Sequence, residues 1–227
     1  MTDAESPSVG AAVPAAPPAP DAVKTSRLVG TLGVGGAVAG VLLVIAFGLT
    51  LPTIEANKAR ELEVAVNEVL KAPARYETLY VVGGALARKV PDGTDPKKIE
   101  RLFLGYGTDS QRVGFAMVSA EAGFQDLVKV IFGYDPKTKQ LLGMKVLESK
   151  ETPGLGDKIE KDQAFVSQFA GAQVPLVGIK MGKRSNPREI VMITGATISS
   201  KAVIRIINNV LKRLGPLVDA YPQEDKG

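Results

Sequence analysis

Hydroxyl side chains crowd one short turn late in the chain, where they offer a place for an anion. They stand at Thr194, Thr197, Ser199 and Ser200. Apolar residues at helical spacing over 198–214 predict an amphipathic helix that begins in this cluster. The first backbone N–H groups of a helix have no partner within it, and the positive end of the helix dipole favours negative charge. The turn therefore predicts a phosphate site, with simple capping of the helix by Thr and Ser as the alternative.

A second segment, residues 151–156, combines a proline and two glycines with one apolar side chain. Pro153 and the glycines interrupt regular structure and expose backbone groups. Leu155 offers an apolar surface against which a flat ring can lie. We interpret this segment as the lining of a ring-binding site, and the alternative is an ordinary loop that leaves a hairpin. The candidate lining residues are Glu151, Thr152, Gly154, Leu155 and Gly156.

Regular structure is predicted on both sides of these two segments. Residues 127–134 and 140–147 are rich in apolar and β-branched side chains and flank a turn that contains a proline, which predicts a β-hairpin. Residues 157–169 have the apolar spacing of a helix, and residues 189–193 form a short apolar run that predicts a strand. This mixture of strands and helices favours an α+β fold.

The composition removes several kinds of chemistry. The 227 residues include no cysteine and no histidine, which excludes thiolate and imidazole metal ligands, iron–sulfur ligation and Ser-His-Asp triads. We therefore predict no metal site and assign no catalytic residue, and any redox chemistry must come from a bound cofactor. A net charge of +4 from 28 basic and 24 acidic residues is too mild for a nucleic-acid-binding surface.

An uncharged apolar run covers residues 28–51. As a helix it is about 36 Å long, enough to cross the ~30 Å hydrocarbon core of a bilayer. The run is longer than the apolar part of a signal peptide and continues into Pro52 without a small-residue cleavage site, which favours an uncleaved anchor. Basic residues stand on both sides of the run, so the positive-inside rule gives no orientation.

The remaining segments complete the predicted organisation. Residues 1–27 are rich in proline and alanine and predict a disordered tail, and residues 52–72 have the spacing of a connecting stalk helix. We assign residues 73–220 to one globular domain with antiparallel strands and flanking helices, in which residues 115–119 predict a short strand. Residues 221–227 form a polar C-terminal tail.

Residues 151–158 and the Thr-Gly-Ala-Thr turn, about forty residues apart, resemble the paired motifs of the FMN-binding domain family. The resemblance covers about 122–214. In that family the last threonine of the turn is linked through its hydroxyl to the phosphate of flavin mononucleotide (FMN). The resemblance therefore implies a covalent phosphodiester between FMN and Thr197. It also implies that Thr194, Gly195 and Ala196 contact the cofactor and that the 151–156 segment lines its isoalloxazine ring.

The family includes the G subunit of Rnf-type complexes, and the resemblance implies the same role. It is that of an electron-transfer subunit in a membrane-bound, ion-translocating oxidoreductase. The implied partners are the other subunits of the complex, membrane lipid and a flavin transferase for maturation, without nucleic acid. The implied location is the bacterial inner membrane, with a single span and the globular domain on the periplasmic or extracellular side.

One position departs from the family pattern and keeps alternatives open. The family usually has an acidic residue six positions before the modified threonine, where this chain has Val191, although Glu189 lies nearby. Binding of FMN without a covalent bond is therefore a second possibility. Two other functions also remain open. One is a role like that of NqrC in the sodium-translocating quinone reductase, and the other is a non-redox, membrane-anchored extracytoplasmic scaffold.

Overall fold

The computed structural model describes residues 24–222, apart from the side chain of Lys97. Most of the two predicted tails, at 1–27 and 221–227, therefore lies outside the described residues. The described residues form one long helix, a six-stranded sheet, a two-stranded sheet and several shorter helices.

A single helix, α1 (Thr25–Val69), runs through the predicted 28–51 span and most of the predicted 52–72 stalk. Pro52 lies inside this helix, although a proline removes one backbone hydrogen bond. In the described part of the chain, α1 is the one helix that is long and apolar enough to cross a membrane. The predicted apolar helix ahead of the globular domain is therefore confirmed.

The last turns of α1 belong to the core of the globular domain. The structure divides the chain into two compact units between Ile54 and Glu55, earlier than the predicted division between 72 and 73. The reason is packing, because the end of α1 buries apolar side chains against one face of the large sheet. The buried residues of this cluster are Ala65, Val66, Val69, Leu70, Phe103, Ala116 and Ile131.

The large sheet is antiparallel throughout, with strand order β2-β1-β3-β4-β5-β6. The strands are β1 (Arg75–Val82), β2 (Ala85–Ala87), β3 (Arg101–Tyr106), β4 (Arg112–Ala122), β5 (Leu127–Asp135) and β6 (Gln140–Ser149). The hairpin predicted over 127–147 is confirmed as β5 and β6, and the short strand predicted over 115–119 is the middle of β4. The α+β fold class is confirmed as well.

Helix α4 (Thr197–Ala220) covers the other face of this sheet. Side chains alternate between the two faces of a strand, so Leu102 and Leu104 join the α4 core while Phe103 joins the α1 core. The buried stripe of α4 that meets the sheet consists of Val203, Ile206, Ile207, Val210, Leu214 and Val218. This stripe fixes the direction of α4 and therefore the position of its first turn.

Between β6 and β7 the chain forms short helical elements instead of the single helix predicted over 157–169. They are α2 (Lys158–Lys161), α3 (Gln163–Val166) and a 3-10 turn (Ser167–Phe169). That prediction was wrong because Asp162 is extended, with φ −79° and ψ 100°. Its carboxylate accepts hydrogen bonds from the backbone N–H groups of Ala164 and Phe165, at 2.9 and 3.3 Å, and starts a new helix.

Strands β7 (Val177–Ile179) and β8 (Glu189–Val191) pair in parallel and form a separate two-stranded ribbon. The strand predicted over 189–193 is confirmed, two residues shorter. A Cβ atom on Gly178 would lie 2.9 Å from Cδ1 of Ile204, so the ribbon packs directly on α4. The ribbon therefore delivers the chain to the start of that helix.

Candidate functional site

The 194–197 turn joins β8 to the 24-residue helix α4. Gly195 has φ +83°, in the left-handed region that glycine adopts at least cost. Ala196 is the N-cap residue of α4, with φ −126° and ψ 33°, and its methyl side chain cannot accept a capping hydrogen bond. The capping that hydroxyl residues normally provide is therefore missing from this helix start.

Three backbone donors remain available at the start of α4. Among the hydrogen bonds of the described residues, none uses the N–H of Thr197, Ile198 or Ser199. The first N–H that is satisfied is that of Ser200, which donates to the carbonyl of Ala196 at 2.9 Å. The free donors coincide with the positive end of the helix dipole, so this helix start favours an anion.

The four hydroxyl residues of the cluster divide into two pairs. Ser199 and Ser200 are buried and committed to the protein. The hydroxyl of Ser200 accepts from one backbone N–H at 3.1 Å and donates to one backbone carbonyl at 2.9 Å. Thr194 is exposed and Thr197 half-buried, and within residues 24–222 neither hydroxyl makes a hydrogen bond. The two threonines are therefore the pair available to a ligand.

Glu151 is the polar centre beneath this turn. The residue is only 5% exposed. Its Oε1 accepts from the backbone N–H groups of Phe124 and Gln125, at 2.8 and 3.1 Å. Its Oε2 accepts from the hydroxyl of Ser199 at 2.6 Å. One carboxylate thus joins the β4–β5 turn, the 151–156 loop and the first turn of α4.

Two glycines make room for this carboxylate. A Cβ atom on Gly156 would lie 2.7 Å from both Cβ and Oε2 of Glu151. A Cβ atom on Gly123 would lie 2.3 Å from Oε1 of the same side chain. Distances this short are not tolerated, so both positions require glycine for the carboxylate to be buried.

The carboxylate remains ionised despite its burial. Burial by itself raises the pKa of Glu151, but the hydrogen bonds from Ser199 and from the backbone of the β4–β5 turn together lower it further. The net pKa of Glu151 lies below the ordinary value for glutamate. The site therefore carries a buried negative charge whose hydrogen bonds hold the surface above it.

The 151–156 loop lies directly beside the 194–197 turn. A Cβ atom on Gly195 would lie 3.7 Å from Cδ2 of Leu155, an ordinary van der Waals contact. Leu155 is 50% exposed and Ile198, at the start of α4, is 52% exposed. Gly154 has φ +77°, which turns the loop so that Leu155 stays at the surface. The two segments singled out from the sequence therefore share one surface with an apolar part.

The structure adds residues that the sequence did not single out. Phe124, in the β4–β5 turn, is 66% exposed and is held through its backbone by Glu151. Gln125 Oε1 accepts from the Thr152 hydroxyl at 3.1 Å, a second link between this turn and the loop. No motif marks either position, and only the glycine before Phe124 hints at a turn. Both come to the site through tertiary contacts.

The position that departs from the family pattern has a structural role of its own. Val191 is half-buried, and Gln168 binds its backbone N–H at 2.7 Å and its carbonyl at 3.1 Å. The nearby carboxylate of Glu189 accepts from Ser185 at 2.6 and 2.7 Å and from Asn186 at 2.9 Å. These hydrogen bonds, that from the Ser185 backbone first, lower the pKa of Glu189. Glu189 therefore organises the loop before β8.

The donor set fits the two ends of FMN. Three free N–H groups, a helix dipole and two free threonine hydroxyls match the chemistry of a phosphate. Exposed apolar side chains next to these donors match the chemistry of a flat aromatic ring. No group of histidine, cysteine, aspartate or glutamate within the described residues is arranged to hold a metal ion.

Comparison with known proteins places these residues in a family. The model of the FMN-binding domain family matches residues 123–212, a segment that contains both motifs and most of β5–α4. The match begins at Gly123 and ends within α4. It therefore includes the carboxylate centre, the 151–156 loop and the 194–197 turn.

Sequence relatives extend the similarity over most of the chain. The G subunit of the ion-translocating oxidoreductase complex of Methanosarcina acetivorans is 26% identical over 191 residues, which cover 84% of this chain and 95% of that protein. The G subunit of the Na(+)-translocating ferredoxin:NAD(+) oxidoreductase complex of Acetobacterium woodii is 29% identical over 175 residues, covering 76% and 83% respectively.

Solved structures share the fold. NqrC of Shewanella oneidensis superposes with a TM-score of 0.56 at 16% identity, over 67% of this chain and 91% of that one. The corresponding protein of the Na(+)-translocating NADH-quinone reductase of Parabacteroides distasonis gives 0.52 at 21% identity, over 66% and 80%. Residues 123–212 therefore belong to the FMN-binding domain family, and the chain as a whole is similar to G subunits of ion-translocating oxidoreductase complexes.

Proposed function

We propose that this chain is the electron-relay subunit of a membrane-bound, ion-translocating oxidoreductase of the Rnf type, with FMN covalently held on Thr197. The observation that carries the proposal is the state of α4. Its first three N–H groups and the Thr197 hydroxyl are free, in a segment that matches the FMN-binding family.

The phosphate end of the cofactor would lie at the start of α4. A phosphodiester keeps one negative charge, which the N–H groups of Thr197, Ile198 and Ser199 and the helix dipole stabilise. Gly195 and Ala196 have no side-chain polar atom that competes for those donors. Thr194, exposed and without a hydrogen bond in the described residues, supplies a further donor beside them.

The ring end would lie across the surface that Glu151 holds. Leu155 and Ile198 are half exposed and supply apolar contact, while Thr152, Gly154 and Gly156 supply backbone around it. Bound FMN supplies the one- and two-electron chemistry that the side chains themselves lack. The chain fixes the position and the electrostatic surroundings of the cofactor, and Glu151 contributes a buried charge near it.

The membrane anchor and the relatives support the rest of the assignment. The apolar part of α1 provides a single span, and both G subunits compared above carry names that state ion translocation. We therefore propose that the other subunits of such a complex and membrane lipid are partners, and that a flavin transferase attaches the cofactor. The similarity to NqrC rests on fold alone and favours the G-subunit assignment less directly.

Intact mass of the denatured chain tests the covalent bond. The chain is co-expressed with a flavin transferase, and wild type is compared with Thr197→Ala. We expect an FMN-sized increment in wild type and none in the variant, because a phosphodiester survives unfolding whereas bound ligand is released. Thr108→Ala, which removes an exposed hydroxyl in the β3–β4 loop, is the control and should keep the increment.

The alternatives give different results in the same samples. A yellow native chain that loses its colour on denaturation and shows no increment would mean non-covalent FMN, which Val191 leaves open. A colourless native chain without an increment would contradict FMN binding and favour the scaffold.

The side of the membrane is tested with thiol labelling, since the chain has no cysteine of its own. We propose that the globular domain is outside the cytoplasm. A single Lys137→Cys variant in spheroplasts should react with a membrane-impermeant maleimide, and a Thr2→Cys variant should react only after lysis. The reverse pattern would contradict this orientation.

A further inference from the structure

The loop that joins β7 to β8, residues 180–188, concentrates positive charge, and we call it the basic loop. It contains no acidic residue and four basic ones, Lys180, Lys183, Arg184 and Arg188. Without these four, the 28 basic residues of the chain fall to 24, which equals the number of acidic residues. The basic loop thus accounts for the whole net charge of +4.

The cations of the basic loop face solvent. Its basic residues lie at the surface, and in its middle Met181 is 83% exposed. Across residues 24–222, no ion pair is formed by its four basic side chains. The adjacent carboxylate, that of Glu189, lowers the local charge to +3 but is directed to Ser185 and Asn186.

The basic loop is built as an ordered surface. Arg184 donates from its two terminal nitrogens to the carbonyls of Gln168 and Pro187, both at 3.1 Å. Gln168 in turn binds the backbone of Val191, so the loop is tied to β8. Because the backbone is held in this way, Lys180, Lys183 and Arg188 are displayed without a large ordering cost on binding.

The basic loop begins next to the candidate site. Its first residue follows Ile179, whose carbonyl accepts from the N–H of Met192 at 2.8 Å. Met192 lies two residues before the 194–197 turn, so this turn and the start of the loop leave the ribbon at the same end. A protein that docks on the loop would therefore stand close to the turn.

The placement of the loop within the domain favours a protein over a lipid surface. The ribbon packs on the α4 face of the large sheet, whereas the end of α1, through which the chain continues from its apolar span, packs on the opposite face. The sheet thus separates the basic loop from the last turns of α1. A lipid surface that met the loop would have to reach the α4 face.

We propose that the basic loop is the docking surface for an acidic face of a protein that exchanges electrons with this domain. The redox part of this statement rests on the function proposed above. Charge complementarity steers such partners into contact and raises the association rate, while exposed Met181 offers an apolar centre inside the charged ring. Encounters between redox proteins use small interfaces of this kind.

Binding of an acidic electron carrier tests the surface without depending on flavin. The full chain is placed in phosphatidylcholine nanodiscs and titrated with the soluble domain of cytochrome b5, which is acidic. We expect binding that weakens as salt is added. A variant with Lys180→Gln, Lys183→Gln and Arg188→Gln should bind about tenfold more weakly at low ionic strength. Arg184 is retained because it holds the loop.

A second triple variant controls for net charge. Lys129→Gln, Lys137→Gln and Lys212→Gln remove the same charge from exposed positions elsewhere on the domain. This control should bind cytochrome b5 within about twofold of wild type, since only local charge steers docking at a defined surface. Cytochrome c, a basic carrier, should lose no affinity when the loop is neutralised.

Four other outcomes decide the proposal. Equal weakening in both variants would mean a net-charge effect and would overturn it, as would salt-independent binding by wild type. Protection of Lys180 and Lys183 from acetylation only in nanodiscs with phosphatidylglycerol, with unchanged cytochrome b5 binding in the loop variant, would assign the loop to lipid and overturn it too. Loop-dependent binding by a chain without flavin would support the docking surface and remove the redox function alone.

Discussion

The two segments of the candidate site use their polar groups in opposite ways. The 194–197 turn leaves its threonine hydroxyls and three helix N–H groups free, and its glycine and alanine add no competing acceptor. The 151–156 loop begins with Glu151, whose buried carboxylate is fully occupied by Phe124, Gln125 and Ser199. One segment therefore keeps its donors for a ligand, and the other keeps the first in position.

The sharpest test of this difference compares Glu151→Ala with Thr197→Ala. Removing the carboxylate leaves three donors without an acceptor in a buried site, so Glu151→Ala should lower the free energy of unfolding by about 3 kcal/mol. Thr197→Ala removes a hydroxyl without a hydrogen bond and should cost about 0.5 kcal/mol or less. Urea unfolding of the detergent-solubilised chain measures both, and similar losses would break the comparison.

A smaller effect should separate two glycines with positive φ. Gly195→Ala and Gly154→Ala should each cost about 1–2 kcal/mol, because both residues lie in the left-handed region and neither new Cβ atom meets a clash. Only Gly195→Ala changes the turn that bears Thr197, so it should reduce FMN attachment more strongly. Intact mass reports attachment, and urea unfolding reports stability. Equal loss of attachment in the two variants would show that the turn has no special role.

Acid should weaken the loop through Glu151. Its pKa in the folded state is below the ordinary value of 4.5, so the unfolded chain binds more protons and the carboxylate contributes stability above that value. This contribution is lost as the pH falls below about 4.5, through the folded pKa. Glu151→Gln keeps the size and hydrogen-bonding capacity without the charge. We therefore expect a flatter stability profile between about pH 5 and 3 in the variant. Parallel profiles would show that the charge contributes nothing.

The smallest effect on stability is expected from Leu155→Ser. Leu155 is half exposed, so the change should move the free energy of unfolding by about 0.5 kcal/mol or less. If the loop lines the flavin ring, the visible absorption bands of the bound cofactor should shift, because the ring then contacts water. Leu127→Ser, which changes a leucine of similar exposure at the start of β5, is the control and should leave the spectrum unchanged.

Local patterns predicted the elements that depend on nearby residues. Two apolar runs around a proline-containing turn were enough for the β5–β6 hairpin, and the spacing of apolar residues was enough for α4. The helix predicted over 157–169 failed because apolar spacing ignores Asp162, whose side chain caps a new helix at that point. The first half of the sheet was hardly visible in the sequence, since β1 and β3 pair across a loop and their burial is set by two helices far away in the chain.

The sequence by itself determined the anchor, the hairpin, the final helix and the two motifs, because each depends on residues within about one turn or one strand. Only the tertiary structure decided which polar groups of the motifs are free and which are committed. Glu151 meets Ser199 48 positions later and Phe124 27 positions earlier, distances over which no periodicity carries information. The exposed charge of the basic loop was likewise decided by folding, because the ion pairs that neutralise the other segments form between distant residues, such as Arg205 with Glu121.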